Sequence, residues 1–133
     1  MIDDLLRRMV SQRAMQRCEY CHLPQIHDVQ PFQVDHIIAL KHQGSTQLEN
    51  LALACFACNL FKGPNIAGID PLDRRIIRLF HPRMDVWAEH FRWAGAALEG
   101  VTPEGRSTVI VLNINAPARV EHRRLLQLAG VSF

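Results

Sequence analysis

Apolar residues at Leu5, Leu6, Met9, Val10 and Ala14 recur at helical spacing, with Arg7, Arg8 and Arg17 off that stripe. The pattern predicts an amphipathic helix within the first 17 residues. Phe32 to Leu40 reads as a strand, given β-branched bulk by Val34, Ile37 and Ile38. Gly44, Ser45 and Thr46 break it into a loop, and Leu51 to Ala54 is a second short apolar run. FACNLFKG then predicts one or two helical turns, stopped by Gly63 and Pro64. The order strand, strand, helix is a ββα unit.

Beyond it, residues 65–71 read as a loop, 76–80 (IIRLF) as a strand, and Asp85 to Glu89 as a short helical turn. Phe91 to Trp93 and Ala97 to Val101 predict a small hairpin, whose Trp93, with Trp87 before it, is expected to pack and not to stack on bases. Thr102 and Pro103 suit an N-cap and first turn. The following GRSTVIVLN has strand-like composition, yet positions 105, 108/109 and 112 fit a helix, which is the reading taken. Asn115 and Pro117 are expected to open a last helix with Val120, Leu125 and Leu128 inward and Arg119, Arg123 and Arg124 outward.

Composition narrows the class. A chain of 133 residues with 48% hydrophobic and 21% charged residues matches ordinary globular usage, which argues against disorder. That length suits one domain, read as a helix at 1–17, a core at 18–63 and an extension at 64–133, in an α+β fold. No apolar run approaches the ~18 residues of a membrane span. The start, MIDDLLRRMV, has acids where a secretory signal has positive charge, and no long apolar core follows. A cytoplasmic, reducing setting is therefore expected, with no membrane partner.

All four cysteines fall in two tight pairs, Cys18/Cys21 and Cys55/Cys58. Disulfides are rare in a reducing compartment. A redox pair would leave the second pair unexplained. Two C-x-x-C turns together supply the four sulfurs of a tetrahedral Zn²⁺ site with no open position, so a structural zinc is expected. The pairs lie 33 residues apart, more than the roughly 15–20 of an ordinary zinc ribbon. Something is built inside the clip, which zinc binding, worth on the order of 10 kcal/mol in finger peptides, would hold closed.

That insert carries Asp35 and His36 on the strand and Asn50 in the loop; just past it, Asn59 and Lys62 lie three residues apart on one helix face. The string VDHI, GST, ENLALACFACNLFKG resembles the HNH endonuclease family, most of all its zinc-stabilised branch with a ββα-metal core. The later segments KGPNIAGIDP, LFHPRMDVWAEHF and GVTPEGRSTVIVLNINAPARV are similar to the tails of small bacterial members. The resemblance implies roles: His36 the general base, Asp35 and Asn59 ligands of a catalytic Mg²⁺ or Mn²⁺, and Asn50 the residue that orients the His and its loop. Asn59 stands where the family name has its second His, a variation common in the family. The chemistry is coherent. Neutral imidazole, with an unperturbed pKa of about 6.5, suits proton abstraction from water, and carboxylate and amide oxygens suit a hard cation.

The implied partner is DNA, double-stranded in the first instance. Lys62, Lys41 and His42 are candidates for phosphate contacts, the last two equally readable as solvated loop residues. His22 is read as a knuckle residue. The net charge of +2 conceals a split: residues 18–62 balance at −2, and each flank at +2. Thirteen of the fifteen cations are Arg, whose planar fork suits phosphate, although solvated helix faces explain most such clusters. A zinc-containing DNA-binding module without catalysis is the first alternative, and a zinc domain for protein interaction the second.

Overall fold

The computed structural model describes residues 2–133 and has an α+β fold of five α-helices and three two-stranded antiparallel sheets. It divides into two compact units, Met1–Ile66 with His81–Met84, and Ala67–Phe80 with Asp85–Phe133. Among the described residues, no helix is long and apolar enough to cross a membrane.

In the first unit, α1 (Asp4–Arg13) begins where Asp3 caps it by accepting the Leu6 N–H at 2.8 Å. Of its apolar stripe only Val10 is buried, and Leu5 stays largely exposed. The helix is instead anchored by Arg13, which donates to the carbonyls of Leu48 (2.9 Å) and Leu51 (2.5 Å). β1 (Gln33–His36) pairs with β2 (Leu51–Ala54) in the register Gln33↔Ala54 to His36↔Leu51. β2 is buried along its whole length, as its unbroken apolar run requires. α2 (Phe56–Lys62) follows at once and ends at Gly63, whose φ of 49° is the left-handed region that favours glycine.

The strand expected over 32–40 stops at His36. Asn50 takes over Ile38, accepting from its N–H and donating to its carbonyl, both at 2.9 Å. A polar side chain thereby replaces the next ladder rungs, and the chain turns away. Gly44 packs against the same carbonyl; a Cβ there would lie 1.7 Å from Ile38 O, so no larger residue fits.

In the second unit, β3 (Ala67–Ile69) and β4 (Ile76–Arg78) form a hairpin where a loop was expected at 65–71. Its closing turn, 70–75, opens at Asp70, a residue whose turn propensity masked the short strand before it. α3 (Trp87–His90) leads into the expected hairpin of β5 (Phe91–Ala94) and β6 (Ala97–Gly100). α4 (Pro103–Val111) settles the ambiguous stretch as helix, with Thr102 accepting the Gly105 N–H at 3.0 Å. Trp87 and Trp93 pack with Phe91 and Phe133.

The last helix, α5 (Pro117–Leu128), is turned relative to expectation. Leu125 and Leu128 are exposed, while Arg123 is buried. Its guanidinium satisfies the carbonyls of Ala96 (2.7 Å) and Ile114 (2.8 Å) and lies over the Trp93 ring. Hydrogen-bonding demand outranked apolar periodicity. Asn115 is no cap; its side chain pairs with both backbone groups of Leu98.

Arg106 forks onto both oxygens of the buried Asp70 at 2.9 Å, and with the Leu72 N–H it holds that carboxyl down to about 2. A depressed carboxyl adds stability that is complete above its unfolded pKa of about 3.9 and is lost as pH falls through the folded value. Acid titration should therefore weaken this unit between pH about 4 and 2, and Asp70→Asn should lower the melting temperature at pH 7 and flatten that dependence. Equal acid sensitivity in the variant would place the titrating group elsewhere.

Candidate active site

The four cysteine sulfurs lie within 4.8 Å of one another and all four residues are buried. Cys21 Sγ and Cys55 Sγ are 3.7 Å apart. Zinc–sulfur bonds of about 2.3 Å in a tetrahedron separate the sulfurs by about 3.8 Å, so the Cys21–Cys55 pair matches that edge and the four thiols are the donor set of a structural zinc site. Each pair is pre-shaped: Cys21 N–H points at Cys18 Sγ (3.5 Å), and Cys58 N–H at Cys55 Sγ (3.4 Å). Burial pushes the thiols of Cys18 and Cys58 well up, and a central dication is what converts such thiols to thiolates. His22 takes no place in the cluster; it closes the first knuckle with φ 65° and donates its N–H to Cys18 O.

The two residues inside that first knuckle reach outward. Glu19 accepts the Leu53 N–H at 2.8 Å and pairs with Arg83, stitching the knuckle to β2. Tyr20, fully buried, donates its hydroxyl to Asp35 Oδ2 at 2.7 Å. Burial and the Asp35 charge both push the Tyr20 phenol well up, so it stays a donor.

Consecutive strand residues face opposite sides. Asp35 accordingly points inward and His36 is half-buried. Burial pushes the Asp35 carboxyl above the ordinary carboxylate range, against the opposing pull of Lys62 and Tyr20. His36 Nε2 lies 3.0 Å from Thr46 Oγ1. Asn50 is buried and makes three side-chain bonds, to Ile38 N, Ile38 O and Ser45 O, which lock the loop carrying Thr46. Asn59 faces the same region from α2, with no side-chain hydrogen bond among the described residues.

Asp35, His36 and Asn59 line one open cavity of about 280 Å³, together with Val34, Ala39, Leu40, Gly63 and Pro64. That volume lies just below the range of about 300–1,000 Å³ usual for small-molecule pockets. The donors suit a hard divalent ion: Asn59 brings an uncommitted amide oxygen, and Asp35 Oδ1 has a single partner, Lys62 Nζ at 3.3 Å. The fold thus brings three of the four candidate catalytic and ion-binding residues to one cavity and puts the fourth, Asn50, behind its wall.

The expected phosphate contacts fare differently. Lys62 is 1% exposed, and its ammonium is spent on Asp35 and on the carbonyls of His36 and Ile37, each at 3.1 Å. It is held in the core and does not reach a substrate backbone. The shared helix face inferred for Asn59 and Lys62 brought both to the same strand, but at different depths. Lys41 and His42 are exposed on the turn after Leu40. Most arginines also have partners within the chain: of the thirteen, only Arg7, Arg8 and Arg74 have no side-chain hydrogen bond or ion pair among the described residues. Eight of the thirteen (Arg7, Arg8, Arg13, Arg74, Arg75, Arg78, Arg92 and Arg124) are nevertheless exposed, so much of the flanking charge stays at the surface even where it is paired.

Tyr20 and Thr46 were not read as site residues from sequence. Tyr20 carried a usable signal, since a residue inside a metal knuckle is held at a fixed distance from whatever packs on that knuckle. Thr46 carried none, because loop geometry alone places it beside His36.

Comparison with protein-family models matches residues 18–65 to the HNH endonuclease family. No curated protein and no solved structure gives a match.

Proposed function

We propose, from the premise that residues 18–65 form an HNH endonuclease domain, that this chain hydrolyses phosphodiester bonds of DNA with a divalent ion. The observation that carries this reading is the single cavity lined by Asp35, His36 and Asn59 within a ββα unit. A structural zinc ion held by Cys18, Cys21, Cys55 and Cys58 closes that unit.

His36 takes the proton from the attacking water. The hydrogen bond between His36 Nε2 and Thr46 Oγ1 holds the ring in place and leaves Nδ1 to face the water; in the tautomer that donates Nε2–H to Thr46, Nδ1 is the base. Asn50 keeps Thr46 in reach by pinning both ends of the loop, at Ile38 and Ser45. Asp35 and Asn59 would hold Mg²⁺ or Mn²⁺, which when bound supplies charge for the phosphoryl group and the leaving oxygen. Lys41 and His42 would meet the flanking phosphates, a role supported by their exposure beside Leu40 of the cavity wall. Backbone contacts of this kind carry little base information, so cleavage of double-stranded DNA with weak sequence preference is the expected behaviour.

The Lys62–Asp35 ion pair favours a second reading, a DNA-binding zinc module in which Asp35 is only a core partner. A plasmid-nicking assay with Mn²⁺ separates the two. Nicking by the wild type that His36→Ala lacks supports the nuclease; DNA binding by both proteins with no nicking by either supports the module.

A further inference from the structure

Asp35 has a property that a simple ion ligand does not need. Its carboxylate is already matched by a cation, the Lys62 ammonium 3.1 Å away, and both side chains are nearly sealed from solvent. Lys62 has no freedom to leave. It sits in the last turn of α2, and its remaining hydrogen-bonding capacity is taken by His36 O and Ile37 O. Tyr20 holds the other side of the same carboxylate. The cavity wall contains no further acid: beyond Asp35 and His36 its residues are Val34, Ala39, Leu40, Asn59, Gly63 and Pro64. The one formal negative charge available to a cation is therefore balanced from behind.

The geometry points to Lys62 as a built-in counter-ion of Asp35, which keeps the ion site near electrical neutrality so that a divalent ion binds well only together with a substrate phosphate. This rests on the proposed role of Asp35 as an ion ligand. The physical argument is competition. Lys62 and an incoming dication draw on the same carboxylate, and burial strengthens the attraction already present. A phosphate entering the cavity adds negative charge that Lys62 does not balance, and the dication then has an anionic shell to complete. The buried lysine acts as a positioning residue and a brake, with no contact to substrate.

Removing the brake reverses the usual effect of a damaging mutation. A neighbouring charge changes a carboxylate's affinity for its own cation, the proton, by about ten- to a thousand-fold. Lys62→Met keeps an unbranched side chain one atom shorter and deletes the charge, so Mn²⁺ binding without DNA should tighten by about tenfold or more over wild type. Electron paramagnetic resonance of free Mn²⁺ reads this directly. Mn²⁺ should also raise the melting temperature of the variant far more than that of wild type. In Lys62→Met/Asp35→Asn the gain should vanish. A purely structural lysine would give Mn²⁺ affinity equal to or below wild type, and that result overturns the inference; so does a gain that survives in the double variant. If Lys62→Met does not fold alone, Mn²⁺ should restore its fold, and failure to do so counts against the inference as well. The nuclease reading is tested separately. Wild type that nicks DNA while Lys62→Met gains no affinity sinks the counter-ion alone, whereas a gain of affinity in a chain that never nicks sinks the nuclease alone.

Discussion

Replacing Cys58 with serine is expected to unfold the Cys18–Lys62 region, not merely to weaken it. Metal chelation by four thiolates supplies on the order of 10 kcal/mol in small zinc domains, against a total stability of about 5–15 kcal/mol for a typical domain. Apart from the knuckles, this unit has only a small buried core around Tyr20, Phe32, Ile37 and Leu51. Its sheet has two strands of four residues, and a two-stranded sheet is marginal by itself. The knuckles also hold what lies between them: Glu19 pins β2 at Leu53, and Tyr20 reaches Asp35. Far-UV circular dichroism and elemental analysis check this together. The wild type should contain about one zinc per chain that survives a mild EDTA wash, and a chelator strong enough to strip it should reproduce the Cys58→Ser spectrum. A folded wild type without zinc, or a Cys58→Ser protein with an unchanged melting curve, would refute the clip.

Loss of His36 should cost activity without costing the fold. His36→Ala removes the proposed general base, worth roughly 10²–10⁴ in rate, while deleting a half-buried side chain whose single hydrogen bond goes to Thr46. The expected result is wild-type DNA affinity and zinc content with nicking reduced by that factor, partly restored by added imidazole. Thr46→Val provides the graded companion. It removes the hydrogen bond that orients the ring, worth about tenfold, and should shift the pH profile of nicking while leaving the KM for DNA unchanged. Equal activity in His36→Ala and wild type would remove His36 from the chemistry altogether.

Legibility in the sequence followed the range of the interactions involved. The zinc-type knuckles, the ββα order and the hairpin of β5 and β6 depend on spacings of a few residues, and local patterns record such spacings. The errors came where a distant polar group intervened. Asn50 ended β1 four residues early by taking the backbone groups of Ile38. Arg123 rotated α5 because the carbonyls of Ala96 and Ile114 needed a donor. A hydropathy pattern cannot register either event, since it ranks residues by apolarity and both deciding residues are polar.

The charge map shows the same division most clearly. Sequence alone established four cysteines in two knuckles, an Asp-His pair inside the clip and an Asn after it, because those features are chemical identities at short spacing. Whether a charge faces solvent or an interior partner depends on chain segments brought together from far apart. Tertiary structure alone therefore decided that Lys62 points into the core at Asp35, that Tyr20 meets Asp35 and Thr46 meets His36, and that Arg123 is buried while Arg7 and Arg8 stay exposed. Burial makes the difference: an ammonium sealed beside a carboxylate tunes that carboxylate, while the same ammonium in water would grip a phosphate.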